Sequence, residues 1–223
     1  MTPPDIVSYF EPVTLLGGGR AEAEDLRLAL ALAPVLIAAD GGANMACSEG
    51  LMPDLVIGDF DSITPETLAA IPASRQRHIS EQDSTDFEKC LSRIEAPFIL
   101  GIGFTGARID HQLAVCNALV RYPARRCVLI SAEDVIFAAP PRLALPLTAG
   151  TRVSLFPMTN LRGESRGLRW PIGGIDFTPS GRGGTSNEAL GSVDLSFANP
   201  GMLVILPRDC LQVVIAALAQ AGL

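Results

Sequence analysis

Apolar residues in the first part of the chain alternate between short unbroken runs and longer stretches with the three-to-four spacing of a helix. The runs Val13–Leu16, Val35–Ala39, 55–57, 98–100 and 128–130 predict strands, and a run with no polar face predicts a strand covered on both sides. Between them, 22–33 has helical composition up to Pro34, a short helix fits 43–48, and another fits 108–121. Thr85-x-x-Glu88 is a capping box, with each side chain satisfying the other residue's backbone amide, and it starts a helix through about Ile94. Strands alternating with helices predict βαβ units and a parallel sheet. The pattern changes near Pro140-Pro141. Beyond it the chain is rich in Gly, Pro, Ser and Thr, and the runs 152–156, 192–197 and 202–206 predict a smaller all-β domain.

Composition narrows the function classes. With 48% hydrophobic and 18% charged residues among 223, the chain is expected to fold, with enough length for a large core. A net charge of −7 opposes a generic nucleic-acid surface, which would collect cations to replace phosphate counterions. Lys89 is the sole lysine, so its location matters. The five cysteines are scattered, without a Cys-x-x-Cys pair, as in a cytoplasmic protein with reduced thiols. Residues 1–9 lack the basic-then-apolar order of a signal peptide, and no apolar run is long enough to span a bilayer; 211–223 comes nearest and is expected to be a buried strand or helix.

Ligands of open α/β sheets bind beyond the carboxyl ends of the strands. Here those ends carry acids and glycines: Asp40-Gly41-Gly42-Ala43-Asn44, Gly58-Asp59-Phe60-Asp61-Ser62 and Gly101-Ile102-Gly103-Phe104-Thr105-Gly106. Asp59 and Asp61 are two apart, so in extended backbone their carboxylates face one point and call for a cation between them. Hard oxygen ligands without nearby histidine or thiolate suit Mg²⁺. Asp86 and Lys89 follow at a helix start, where a metal carboxylate and a phosphate-binding ammonium can act together. Gly103-x-x-Gly106-x-Arg108-x-Asp110-His111 opens a helix whose free amides attract phosphate, and Arg108 adds a planar fork that matches phosphate oxygens. Each segment also has a purely local reading as turn, cap or surface ion pair, and Gly183-Gly184-Thr185-Ser186-Asn187 reads locally as a hairpin turn. The residues alone leave open a nucleotidyl or glycosyl transferase with a metal-binding Asp-x-Asp, and a nucleotide sensor without turnover.

Taken in order, these segments resemble the thiamine pyrophosphokinase family. The match comprises Asp40-Gly41-Gly42-Ala43-Asn44, Pro53-Asp54-x-x-x-Gly58-Asp59-Phe60-Asp61-Ser62, and Gln82-Asp83-x-Thr85-Asp86-Phe87-x-Lys89. It continues through Gly103-x-x-Gly106-x-Arg108-x-Asp110-His111 and Asn117 to Ser186-Asn187. The resemblance implies an α/β fold with a Rossmann-like, parallel-sheet ATP-binding catalytic domain over 1–139, followed by a thiamine-binding β-sandwich over 140–223. It implies that the diphosphate of Mg²⁺-bound ATP passes to the hydroxyl of thiamine, releasing AMP. Asp59, Asp61 and Asp86 then correspond to metal-binding and catalytic residues, joined in catalysis by Lys89, Arg108 and Asp110. Asp40, Gly41, Gln82, Gly103, Gly106 and Arg108 correspond to nucleotide contacts. Ser186 and Asn187 correspond to the thiamine pocket, which the resemblance places between the subunits of a homodimer. Trp170 and Phe177 are the candidate aromatics for stacking on thiamine, with Trp170 the preferred one. Glu81 departs from the family, which more often has aspartate there.

Overall fold

In a computed structural model, residues 5–106 and 108–221 of the chain are described. The first four residues of the N-terminal stretch and the last two of the C-terminal apolar segment lie outside them. The chain order is β1 (Val7–Ser8), β2 (Val13–Leu16), α1 (Ala23–Leu32), β3 (Val35–Ala39), α2 (Gly42–Ser48), β4 (Leu55–Gly58), α3 (Pro65–Ala70), β5 (Gln76–His78), α4 (Asp86–Leu91), β6 (Ile94–Glu95), β7 (Ile99–Ile102) and α5 (Ile109–Arg121). It continues with β8 (Cys127–Ile130), β9 (Asp134–Ala138), β10 (Arg142–Leu145), β11 (Arg152–Pro157), β12 (Gly163–Leu168), β13 (Thr185–Phe197), β14 (Met202–Pro207) and α6 (Leu211–Gln220).

The expected division into a Rossmann-like parallel sheet and a separate small β-sandwich is not what the strands form. Twelve strands join in one mixed sheet in the order β10-β13-β11-β14-β9-β8-β7-β2-β3-β4-β5, with β12 pairing β13. The periodicity of a strand reports which faces are buried, whereas its neighbour is chosen by turn geometry and register. Antiparallel pairing already involves β9, which precedes the composition shift at Pro140-Pro141 and pairs with β14. The chain divides into two compact units, Met1–Ala118 with Leu129–Ser131, and Leu119–Val128 with Ala132–Leu223.

In the first unit β7, β2, β3, β4 and β5 are parallel neighbours. Strands β2, β3, β4 and β7 are buried almost throughout, as unbroken apolar runs require. Their one buried hydroxyl, on Thr14, donates to the carbonyl of Ala33 at 2.6 Å, so the end of α1 satisfies it. Helix α4 is capped by Thr85, whose side chain accepts from the amide of Glu88. It stops at Leu91, short of the expected Ile94, because Ile94 and Glu95 pair in parallel with Val7 and Ser8.

In the second unit the long strand β13 pairs antiparallel with β10, β11 and β12, and β14 pairs with β11 and β9. The register shifts between Arg166 and Leu168. Gly167 there has φ +75°, and a Cβ would lie 1.9 Å from the carbonyl oxygen of Ser192, so glycine is required. The C-terminal apolar segment forms helix α6, with Leu211, Val214, Ala217 and Leu218 buried. Among the described residues no helix is long and apolar enough to cross a membrane.

Candidate active site

The ends of β3 and β4 bring their acids together through close backbone approach. Beyond β3 the chain turns at Asp40, with φ +44°, into α2. A Cβ on Gly42 would lie 2.1 Å from the carbonyl oxygen of Leu16, and one on Gly58 would lie 2.7 Å from Cβ of Asp40. Both positions must lack a side chain for Asp40 to sit against β4. The Asp40 carboxylate is 2% exposed, with Oδ2 accepting from the Ser62 amide at 3.1 Å. Its Oδ1 is buried without a hydrogen-bond partner. Burial raises the pKa of Asp40, against the lowering effect of amides at Gly41 and Ser62.

Phe60, between Asp59 and Asp61, has φ +66°, a left-handed conformation costing an L-residue about 1–2 kcal/mol. The turn aims both acids at Asp40: one ligand oxygen from each of Asp40, Asp59 and Asp61 lies within 4.8 Å of the others. Ser62 Oγ donates to Asp61 Oδ1 at 2.8 Å. Asn44, on α2, donates to the Ser62 carbonyl at 2.8 Å and accepts from the Thr64 amide at 3.0 Å, tying the turn to the helix.

Lys89 compensates part of this negative charge from α4. It is 2% exposed, and its Nζ donates to Asp59 Oδ2 at 3.0 Å and Asp86 Oδ1 at 3.2 Å. Gln82 Nε2 donates to the same Asp59 oxygen at 2.8 Å. The Lys89 hydrogen bond holds the Asp59 pKa below the ordinary carboxylate value. Burial raises that of Asp86, only partly offset by Lys89. Burial alone would lower the Lys89 pKa, but its two carboxylate partners reverse this and leave it raised. Asp86 thus joins the group through Lys89, while Asp40 stands beside Asp59 and Asp61 in the converging trio. Glu81 accepts from the hydroxyl and amide of Ser84 and the amide of Asp83, and the hydroxyl bond foremost lowers its pKa.

The Gly103–Gly106 turn is held from beneath. Gly103 has φ +75° and its carbonyl accepts from Gly19 at 2.9 Å; Phe104 meets Phe87 of α4 edge-on, with centroids 4.7 Å apart. Gly106 has φ +81° with open space around it. Arg108 and Asp110 are both exposed and form a bidentate pair. Arg108 draws the Asp110 pKa down to about 2. His111, on the same helix, is exposed.

In the second unit, Ser186 is exposed on β13, whereas Asn187 is buried. The Asn187 side chain accepts from the Trp170 amide at 3.2 Å and donates to the Trp170 carbonyl at 2.7 Å. It therefore clamps the backbone of an indole that is 56% exposed and carries the Arg169 guanidinium 5.4 Å from its centroid. Phe177 is buried, leaving Trp170 as the accessible aromatic of the two. Sequence reasoning passed over His78, whose Nε2 lies 3.1 Å from the Asp59 carbonyl oxygen. Only the β4–β5 register brings it there, and no local motif signals it.

Residues 26–130 match the family model described as thiamin pyrophosphokinase, catalytic domain. Thiamine pyrophosphokinase 1 of Oryza sativa subsp. japonica is 29% identical over 186 residues, which cover 68% of this chain and 70% of that protein. Thiamine pyrophosphokinase 2 of Arabidopsis thaliana is 29% identical over 189 residues, covering 70% and 71%. The fold is shared with thiamin pyrophosphokinase from Candida albicans, at TM-score 0.72 and 17% identity over 93% of this chain and 95% of that one. It is also shared with thiamin pyrophosphokinase from Geobacillus thermodenitrificans, at TM-score 0.68 and 24% identity over 87% and 96%. The resemblance read from the sequence is borne out by these matches.

Proposed function

We propose that this chain is a thiamine pyrophosphokinase, transferring the terminal diphosphate of ATP to the hydroxyl of thiamine with AMP as the leaving group. The observation that carries the reading is the convergence of Asp40, Asp59 and Asp61, in a chain whose residues 26–130 match that family's catalytic domain. The trio fits Mg²⁺: its donors are hard oxygens, no thiolate or imidazole lies among them, and Asp40 keeps a buried oxygen without a partner. When bound, Mg²⁺ would neutralise charge on the phosphate oxygens during transfer. Asp59 and Asp61 hold it together with Asp40, while Asp86 acts through Lys89. Lys89 and Gln82 fix the Asp59 carboxylate, so the ligand is oriented before the metal arrives.

The amides of the Gly103–Gly106 turn and the Arg108 guanidinium take phosphate oxygens, with Arg108 exchanging Asp110 for the nucleotide. Gly41, half-buried beside Asp40, is taken as a backbone contact for the nucleotide. Trp170 offers an indole face to the rings of thiamine, with Asn187 holding it in place and Ser186 contributing a hydroxyl. The working form is a homodimer with the thiamine site between subunits, in the cytoplasm. Five free cysteines fit a reducing compartment.

The test is product identity. Protein mixed with thiamine, ATP and Mg²⁺ is expected to yield thiamine diphosphate and AMP in equal amounts. ADP with thiamine monophosphate would mean single phosphoryl transfer, and absence of product would favour a binding module.

A further inference from the structure

The carboxylate trio depends on a backbone conformation that its own residues do not favour. Phe60 lies in the left-handed region at φ +66°, where a bulky side chain gains nothing locally. Such a residue is ordinarily relieved by a flip of the preceding peptide plane, rotating ψ of Asp59 against φ of Phe60. That flip would reverse the direction of the Asp59 carbonyl.

Two contacts from one side chain oppose it. His78 Nε2 lies 3.1 Å from the Asp59 carbonyl oxygen. A carbonyl only accepts, so the bond requires the proton on Nε2. The imidazole also meets the Phe60 ring edge-on, with centroids 5.3 Å apart and planes at 64°. Phe60 itself packs against the core cluster of Ala38, Ala43, Val56, Ile63 and Ile71. His78 is fixed by β5, lying opposite Gly58 in register, with the next amide, Ile79, donating to the Gly58 carbonyl at 2.7 Å. The Gln76 side-chain amide anchors the same strand to the carbonyls of Leu68 and Ile71.

We propose that His78 is a positioning residue: its Nε2–H and ring edge lock the Asp59–Phe60 peptide so that Asp59 and Asp61 present their oxygens to the same divalent cation as Asp40. The inference rests on the metal-binding reading of the trio given above. His78 acts on the ligands through backbone and aromatic contacts and is not itself assigned as a ligand.

The test is direct Mn²⁺ binding to the full chain, followed by electron paramagnetic resonance without nucleotide or thiamine. It compares the parent with His78→Ala, His78→Phe and His78→Gln, with thermal unfolding alongside to verify that each is folded. His78→Ala and His78→Phe are expected to weaken Mn²⁺ binding about 10- to 100-fold. His78→Gln, which can offer an amide N–H to the same carbonyl, should recover most of that loss. A merely structural role would instead lower affinity in step with melting temperature, with no advantage for glutamine over phenylalanine. Should His78→Ala unfold, the phenylalanine and glutamine variants carry the comparison. Dissociation constants within about twofold of the parent in the phenylalanine variant, or equal in the phenylalanine and glutamine variants, would overturn the inference. A parent chain that binds no Mn²⁺ would defeat the metal reading itself, and this inference with it.

Discussion

The two charged groups at the strand ends of the first unit are built in opposite ways. Around Asp40, Asp59 and Lys89 the charges are withdrawn from water, and two non-glycine residues, Asp40 and Phe60, adopt positive φ. Arg108 and Asp110 are instead solvent-exposed and satisfied by one another. The first arrangement spends folding stability on orientation before any ligand arrives. The second leaves its cation in water, able to change partner as the proposed phosphate contact requires. The resemblance assigns both groups to one reaction; under the proposed function their different construction suits one to be a prearranged metal seat and the other an adaptable phosphate contact.

Three substitutions in the prearranged group and one in the adaptable group test this contrast. Asp61→Ala has the largest expected effect on chemistry: thiamine diphosphate formation should fall by about 10³-fold or more. Its melting temperature should change little, because Asp61 is exposed. Steady-state turnover beside a thermal melt checks both; near-parental turnover would remove Asp61 from the seat.

Lys89→Met should have the largest effect on stability. It leaves Asp59 and Asp86 facing each other without their shared ammonium, and loss of a hydrogen bond to a charged group costs about 1.5–3 kcal/mol, less at Asp86, which is 38% exposed. Urea unfolding measures this, and a change confined to activity would mean that Lys89 serves the substrate alone.

Asp40→Asn should move stability and binding in opposite directions. Burial raises the Asp40 pKa, so the folded state is penalised when this carboxylate is ionised. The penalty is absent below the ordinary carboxylate range and complete above the raised folded value. The asparagine variant should therefore gain stability near neutral pH. The gain should fade as the solution is acidified, and the variant should lose the Mg²⁺-dependent rise in melting temperature expected of the parent. Unfolding curves across pH, with and without Mg²⁺, report both effects.

Arg108→Ala should be the mildest. Its melting temperature should match the parent, while KM for ATP rises roughly tenfold, as measured by initial rates. A large loss of stability would show that the exposed pair is structural.

What the sequence revealed follows from where information is local. Strands β2, β3, β4, β7 and β8 and the helix at Thr85 were legible because apolar runs and a capping side chain act within a few residues. The acid-bearing strand ends were legible for the same reason. Strand partners were not: β9 has a buried apolar centre, residues 135–137, like the parallel strands, and nothing in its pattern states that it pairs with β14. The separate sandwich was consequently an error of pairing. Asp40's place in the trio depended on Gly58 making room across two strands, and His78 depended on the β4–β5 register. Asn187 was noticed as a pocket residue, but its clamp on Trp170 required the fold.

The most direct test of the prearranged seat is a crystal grown with Mn²⁺ and a non-hydrolysable ATP analogue, with anomalous scattering used to locate the ion. The account predicts a peak within bonding distance of carboxylate oxygens from Asp40, Asp59 and Asp61 and of the analogue's phosphates. An ion bound elsewhere, with those three carboxylates turned away from the nucleotide, would contradict it.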